Sequence, residues 1–472
     1  MKLGNDANFE NNIASKVDIG SGGGIYVDAY ADGSDSSASI EVGNNANFTG
    51  NIAGQSNAGQ GGAVYLSASA DNAASFATMN LGDNATFTDN IAGQGDDGYG
   101  GAIYAVSLNN IGSASVTIGN SATFTGNVAN ENGTGYGGAI FSGGPNGGVT
   151  INGSNNQFRD NKAGTLGGAV YATGNATFIA DGGDMIFEGN TAHSIANAIY
   201  MSNSGDSKTL ILAAKAASNI IFNDPITSND TNQNLDIAIN SENGGTNVTD
   251  GTVAFDGAYW RDPAQGKTPN NAPAFFTSTV YGDTTVYGGK MSLYNGVTYG
   301  ADSSTGSFTL NDAATLAVSN NGYTNTVQAE TIALAQDSVL SFDLANAAPD
   351  GSLSCLTLRG TNISLKDTVS NALTFAINLD TWQDGTFVLV EANTNDFTGF
   401  DLDNALNRMT GVPANVSPTL ELWDNDSKLV LTFKARAAIG AATIPTLNTI
   451  ALLLLALMVI VTGWRCYRHR FF

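Results

Sequence analysis

Histidine, cysteine and proline are all scarce in this chain, and each shortage excludes a class of protein. Two histidines leave little material for a clustered catalytic site. Two cysteines, Cys355 and Cys466, cannot make a disulfide framework. Nine prolines beside 57 glycines in 472 residues exclude collagen and a proline-rich linker. Residues 1–200 also lack the 3.6-residue apolar period of a long helix.

Basic residues are few as well. The chain has 18 Lys and Arg against 42 Asp and Glu, a formal net charge of −24. Because so acidic a surface repels nucleic acid and anionic lipid, we expect no nucleic-acid partner. The hydrophobic fraction of 42% is too high for a disordered chain.

An internal repeat is the main positive signal. Its first signature is Phe-x-x-Asn, found at Phe9–Asn12, Phe48–Asn51, Phe87–Asn90, Phe124–Asn127, Phe158–Asn161 and Phe187–Asn190. Its second signature is Gly-Gly followed by a small residue, Ile or Val, and an aromatic residue, found at residues 22–26, 61–65, 100–104, 137–141 and 167–171. A degenerate copy, ANAIY, stands at 196–200.

A third pattern lies between the signatures and alternates apolar with polar residues, as in SIEVG at 39–43 and TMNLG at 78–82. That period of two is typical of a half-buried strand. Each copy should therefore supply about three short strands, which cannot bury their apolar face alone but can do so by stacking on the next copy. We predict an all-β chain, a right-handed parallel β-helix (β-solenoid), with residues 1–205 as its regular part.

Stacked coils place like residues on like, roughly 4.8 Å apart. We expect the Ile or Val of the second signature and the Phe of the first to point inward. The Asn should take the left-handed conformation at a turn, with its amide bonded one coil away. The paired glycines should permit a sharp turn.

The aromatic residue of the second signature should then point outward. The resulting aromatic ladder would contain Tyr26, Tyr65, Tyr104, Phe141, Tyr171 and Tyr200. Two roles stay open for it: self-stacking that stabilises the sheet, or a platform for sugar rings or a protein partner.

The two coupled signatures resemble the repeats of polymorphic outer membrane proteins, a family of bacterial autotransporter-like surface proteins and adhesins. The resemblance covers residues 1–200. Residues 206–435 keep the β character without a strict period and resemble the irregular β-rich passenger regions of autotransporters. A proline-bearing stretch at 260–276 is a candidate boundary within them.

The C-terminal end has three parts: a linker at 436–449, an apolar segment at 450–464 that we predict to be a hydrophobic helix, and a basic tail at 465–472 with Arg465, Arg468 and Arg470. The apolar run is short for a membrane span, and the basic residues after it predict a cytoplasmic C-terminus. Ile444, Pro445, Thr446 and Leu447 stand before the run.

That order is similar to IPTL-type C-terminal sorting signals, although Asn448 and Thr449 depart from the residues that usually follow the motif. The resemblance implies membrane retention by the helix and an exosortase-like processing protease as partner. A plain C-terminal membrane anchor is the alternative.

No catalytic, cofactor or metal site is predicted. His193 should be a surface residue and Cys355 a buried strand residue. We interpret the pairs Asp181 with Asp184 and Arg159 with Asp160 as solvated turns. The acidic stretches at 28–35 and 424–427 lack the spacing of a calcium loop.

We therefore expect a non-enzymatic, exported, structural or adhesin-like protein, located in the cell envelope, on the cell surface or secreted, with a surface glycan or host protein as partner. The first residues resemble the middle of a repeat, which predicts further copies and a signal peptide upstream. The alternative is a β-helix carbohydrate-active enzyme, a polysaccharide lyase or hydrolase. Such an enzyme needs a groove with three or more carboxylates and a basic residue.

Overall fold

The computed structural model describes residues 1–435, apart from residues 33, 72, 109–111, 145–147, 203–206, 230–234, 246, 263–275, 303–304, 320, 365–372, 380–383 and 415. Throughout this part the regular elements are β-strands, except for the short α-helix Leu402–Asn407 and the 3-10 turn Tyr259–Arg261. Its parallel sheets, stacked coil on coil, agree with the predicted β-solenoid. The handedness of the coil stays a prediction.

The first long sheet takes one strand from each coil, and its neighbouring strands pair in parallel. Buried and exposed side chains alternate, as in Ser36–Val42, so one face meets the core and the other meets solvent. Its strands in the described residues are Lys2–Leu3, Ser36–Val42, Ser75–Leu81, Ser113–Ile118, Gly148–Gly153, Asn175–Ala180, Lys208–Ala214, Leu235–Ile239, Asp283–Val286, Ser307–Leu310, Thr331–Leu334 and Asn362–Ser364.

The second long sheet follows the first in every coil. It carries the Phe of the Phe-x-x-Asn signature, and these rings stack face to face inside the core, as Phe48 does on Phe87 at 4.6 Å. The inward position predicted for Phe48, Phe87, Phe124 and Phe158 is confirmed. The strands are Asn8–Glu10, Asn47–Thr49, Thr86–Thr88, Thr123–Thr125, Gln157–Arg159, Met185–Glu188, Asn219–Phe222, Thr252–Asp256, Lys290–Tyr294, Thr315–Ser319, Val339–Asp343 and Thr374–Asn378.

Three further sheets complete the repeat region. The aromatic sheet contains Ile25–Ala31, Val64–Ala70, Ile103–Ser107, Ile140–Gly143, Val170–Ala172, Ile199–Met201 and Ile226–Ser228. The short-strand sheet contains Ile13–Ser15, Ile52–Gly54, Ile91–Ala92, Val128–Ala129, Lys162–Ala163, Thr191–Ala192 and Ile195–Ala196, and the glycine sheet contains Gly20–Ser21, Gly59–Gln60, Gly98–Tyr99 and Gly135–Tyr136. The early coils thus have five strands rather than the predicted three. The prediction missed the additional strands because a strand of two or three residues is too short to show an alternating pattern.

The turn after each Phe differs from the prediction in one respect. The left-handed conformation belongs to the residue before the signature Asn, for example Asn11, Asp89 and Asp160. From Asn51 to Asn190 the signature Asn itself is buried. The glycine pair behaves as predicted: Gly61 has a φ of 63°, and a Cβ on Gly62 would lie 2.1 Å from a backbone oxygen of the next coil.

Both long sheets continue past residue 205, so coils also stack in the less regular region. There they are closed by the C-terminal sheet, with strands Thr277–Ser278, Thr298–Tyr299, Asn325–Gln328, Asp350–Arg359, Gly385–Glu391, Val416–Trp423 and Lys428–Ala435. The last two strands pair antiparallel. The division of the chain at 205 stays a prediction, and the proline-bearing stretch lies mostly outside the described residues.

Candidate functional site

The six rings of the aromatic ladder lie on consecutive strands of the aromatic sheet. Parallel pairing places Tyr65 beside both Tyr26 and Tyr104, and the same register continues to Tyr200. The rings stack with centroids 4.8 to 5.6 Å apart. The preceding Ile or Val residues lie in the core, so the ladder occupies the outer side of this sheet.

Although the rings lie on the outer side of the sheet, as predicted, other side chains cover most of them. Tyr26 is 56% exposed, but Tyr65, Tyr104 and Tyr200 are each below 10%. A second aromatic column covers part of the ladder, because Tyr99 meets Tyr104 edge-on at 6.2 Å and Tyr136 meets Tyr171 edge-on at 5.2 Å. Burial raises the pKa of Tyr200 to about 12. Much of the ladder therefore packs within the protein, and its role in binding stays a prediction.

A ladder of buried amides runs parallel to the stacked Phe rings. Asn51, Asn90, Asn127, Asn161 and Asn190 are fully buried. Each side-chain amide donates to the side-chain oxygen of the next coil, as Asn90 Nδ2 does to Asn127 Oδ1 at 2.9 Å. The same nitrogen donates to Phe48 O of the preceding coil at 2.9 Å. The predicted bond from amide to amide across coils is confirmed.

Asp224 terminates the amide ladder with a buried carboxyl group. Its Oδ2 accepts from Asn190 N at 2.8 Å and from Asn190 Nδ2 at 2.7 Å, and its Oδ1 accepts from Gly189 N and Trp260 Nε1. Burial raises the pKa of Asp224 to about 7, although these four donors act in the opposite direction. Sequence reasoning missed this residue, which stands two positions after Phe222 instead of three.

His193 and Cys355, considered as a possible base and a possible nucleophile, lie at a surface turn and inside a strand. His193 is exposed at a turn, where its Nδ1 lies 3.3 Å from Gly164 O. Cys355 is 2% exposed within Asp350–Arg359, and burial raises the pKa of its thiol to about 12. At neutral pH the thiol is protonated, and only a thiolate is nucleophilic.

The candidate acid pairs do not converge on one site. Asp181 pairs with Lys215 at 2.8 Å, Asp184 accepts from Asn219, and Arg159 pairs with Glu188. In the acidic stretch 424–427, Asp424 pairs with Lys428 at 2.7 Å. Among the described residues no group of three or more His, Cys, Asp or Glu side chains is arranged to hold a metal ion.

An acidic groove of about 560 Å³ lies on the outer face of the first long sheet. Its floor consists of side chains from successive coils: Asn175, Thr177, Thr209, Ile211, Asp236, Ala238, Asp283, Thr285 and Ser307. Asn243 and Gly244 form one wall beside Tyr287. Asp236 and Asp283 are direct partners on adjacent strands. The pKa of Asp236 is raised mainly by its partial burial and to a smaller extent by the negative charge of Asp283.

The acidic groove was not predicted, since its two carboxylates are far apart in an irregular part of the sequence. It meets only part of the requirement set for a carbohydrate-active enzyme. Two carboxylates line it, and no Lys or Arg is among the described residues of its lining.

The predicted C-terminal features lie outside the described residues. These are the motif Ile444–Leu447, the apolar segment 450–464, Cys466 and the basic tail with Arg465, Arg468 and Arg470. Within the described part of the chain, no helix has the length and hydrophobicity required to cross a bilayer.

Two comparisons with known proteins find similarity to polymorphic membrane proteins. The family model of the Chlamydia polymorphic membrane protein repeat matches residues 84–106. Over 134 residues the chain is 31% identical to a Chlamydia pneumoniae protein named probable outer membrane protein pmp12. This match covers 28% of the chain and 24% of the relative, so the chain matches about a quarter of that protein's length. No solved structure matches the chain. The matched repeat supports the resemblance to polymorphic outer membrane proteins.

Proposed function

We propose that this protein is an exported β-solenoid of the bacterial cell surface with a structural and adhesin-like, non-enzymatic role. The observation that carries the proposal is the repeat at residues 84–106, whose family and whose relative are named as membrane proteins. The stacked coils supply a rigid body suited to display on a surface. The acidic body also suits a position outside a membrane with anionic lipids.

A non-enzymatic role is supported by the chemistry of the outer surface. The acidic groove brings together two carboxylates without a basic side chain in its described lining. Neither Cys355 nor His193 belongs to the described lining of the groove, so among the described residues no basic side chain stands beside the two carboxylates, as the requirement set for a carbohydrate-active enzyme would demand.

We also propose that the C-terminal segment acts as a sorting signal. Ile444–Leu447, the apolar run at 450–464 and the arginines of the basic tail follow one another as in IPTL-type signals. In this proposal the helix holds the chain in the membrane with its basic end in the cytoplasm until an exosortase-like protease cuts it. A surface glycan or host protein is the proposed partner of the exported body.

Surface display is tested in the native bacterium. Antibodies against residues 1–200 should label intact cells, and protease added outside should remove that label while cytoplasmic proteins stay intact. Label that appears only after the cells are broken would contradict the proposal. Mass spectrometry of the envelope and medium should find chains without the basic tail; chains that end at Phe472 in every fraction would leave only the plain anchor.

A further inference from the structure

The acidic groove is lined mainly by hydroxyl, amide and carboxylate groups. Thr177, Thr209, Thr285 and Ser307 present hydroxyl groups, and Asn175 and Asn243 present amides. The threonine hydroxyls can both donate and accept hydrogen bonds, and the carboxylates of Asp236 and Asp283 accept them. The side-chain oxygens of Asn175 and Asn243 already accept from Thr209 N and Asn247 N, and Ser307 Oγ donates to Asp283. A ligand with many hydroxyl groups would complement this lining.

The two carboxylates of the groove differ in their hydrogen-bond partners. Asp236 and Asp283 are paired on adjacent parallel strands, and like charges placed opposite each other destabilise a sheet. Asp283 accepts from Ser307 N and Ser307 Oγ, both at 2.8 Å. The described residues give Asp236 no such donor, so its carboxylate is available to accept hydrogen bonds from a ligand.

The negative charge of the groove disfavours anionic ligands. Its described lining contains no Lys or Arg, and the chain carries a net charge of −24. Sulfated or uronic acid glycans, phosphates and nucleic acids would be repelled. A neutral hydroxyl-bearing ligand avoids that penalty and can donate charge-assisted hydrogen bonds to the carboxylates.

Apolar surface and shape complete the fit. Ile211 and the half-buried ring of Tyr287 lie among the polar groups, and they can contact the C–H faces of sugar rings. The floor crosses five strands of the first long sheet, from Asn175 to Ser307. At about 4.8 Å per coil this is roughly 19 Å, long enough for a chain of sugars.

We propose that the acidic groove binds a linear, uncharged oligosaccharide that runs along the solenoid axis, with Asp236 as its main hydrogen-bond acceptor. This inference deepens the proposed function and rests on it for its biological setting, because it names the ligand class of an adhesin-like surface. The binding itself can be measured on the purified chain and does not depend on where the protein is located.

The test is isothermal titration calorimetry of the full-length chain with the hexamers of cellulose, chitin and starch. A polyoxyethylene detergent is required, since a detergent with a sugar headgroup would compete. At least one hexamer should bind, and Asp236→Ala should raise its Kd about tenfold or more. Asp312→Ala, which removes an exposed carboxylate outside the groove, should leave the Kd within about twofold.

Folding of the variants is checked independently. Asp236→Ala removes the repulsion with Asp283, so its Tm should equal or exceed that of the parent chain while binding falls. Three results would overturn the proposal: no hexamer binds at millimolar concentration, Asp236→Ala binds as well as the parent chain, or calcium chloride alone binds through Asp236 while the hexamers do not. If the groove bound no oligosaccharide, the result of the surface-labelling experiment would not change.

Discussion

The buried amide ladder should contribute more to local stability than its small side chains suggest, and Asn127→Ala tests this. Asn127 Oδ1 accepts from Asn90 N at 3.1 Å and from Asn90 Nδ2 at 2.9 Å. The substitution takes this acceptor from Asn90 N and the Asn127 Nδ2 donor from Phe87 O, both inside a fully buried layer, while Asn90 Nδ2 keeps its bond to Phe48 O. A buried polar group that loses its partner costs about 1–3 kcal/mol, so the two together should cost roughly 2–6 kcal/mol.

Asn12→Ala is the matched control at the exposed end of the same ladder. The Asn12 side chain donates one bond, to Asn51 Oδ1 at 2.8 Å, and Asn51 Oδ1 still accepts from Asn12 N after the substitution. Asn12 is exposed, so water can replace what is lost. The control should cost below about 1 kcal/mol.

Hydrogen exchange read by mass spectrometry suits this comparison, because coils of a solenoid open locally and a single unfolding transition is not assured. Peptides that cover residues 80–135 should lose protection in Asn127→Ala, while distant coils keep theirs. If Asn127→Ala and Asn12→Ala changed the opening free energy equally, the amide ladder would have no special energetic role and the reasoning would fail.

Other parts of the coil give further predictions. Phe87→Ala should cost about 3–5 kcal/mol because the ring is fully buried, whereas Phe76→Ala, at a residue 43% exposed, should cost below about 1 kcal/mol, both read from urea unfolding of the full chain. Gly62→Ala should sharply lower the Tm, because its Cβ would lie 2.1 Å from a backbone oxygen, and Gly4→Ala, with nothing within 4 Å, should leave it unchanged. The free energy of unfolding should fall between about pH 4 and pH 7, because Asp224 loses its proton in the unfolded chain before it does in the folded protein, and pH-dependent melting would measure this.

The repeat made the stacked core predictable. In parallel strands the same position of each copy meets itself, so Phe48, Phe87 and Phe124 could be placed in one column from the sequence alone. The alternation in the first long sheet identified its inward face for the same reason. These inferences needed only local patterns and one rule of stacking.

Features that depend on contacts between different parts of a coil were not predictable in this way. Tyr99 and Tyr136 precede the glycine pair in two copies of the repeat, and Gln60 occupies the same position in another. Because an aromatic residue does not recur at this position, the repeat did not indicate that Tyr99 and Tyr136 cover the aromatic ladder. The acidic groove was hidden for a different reason. Asp236 and Asp283 are separated by an irregular stretch, and their register cannot be counted from repeats.

The pH prediction follows from the difference between the two states of Asp224. Its pKa is about 7 in the folded protein and about 3.8 in the unfolded chain. Below both values the group is protonated in either state, and the stability that it contributes is fully present. As the pH rises from about 4 to 7, the unfolded chain loses this proton while the folded protein keeps it, so the free energy of unfolding falls.

Asp224→Asn removes the titration but not the site. The NH2 of the new amide, itself a donor, must face one of two pairs of N–H donors, either Gly189 N with Trp260 Nε1 or the two nitrogens of Asn190. The variant should therefore be less stable overall. The informative quantity is the change in its stability relative to the parent chain across pH 4–8, measured by urea unfolding, because the other carboxyl groups titrate alike in both. The advantage of the parent chain should shrink as the pH rises to 7. If that advantage grew instead, the four donors would outweigh burial and Asp224 would be held as a carboxylate.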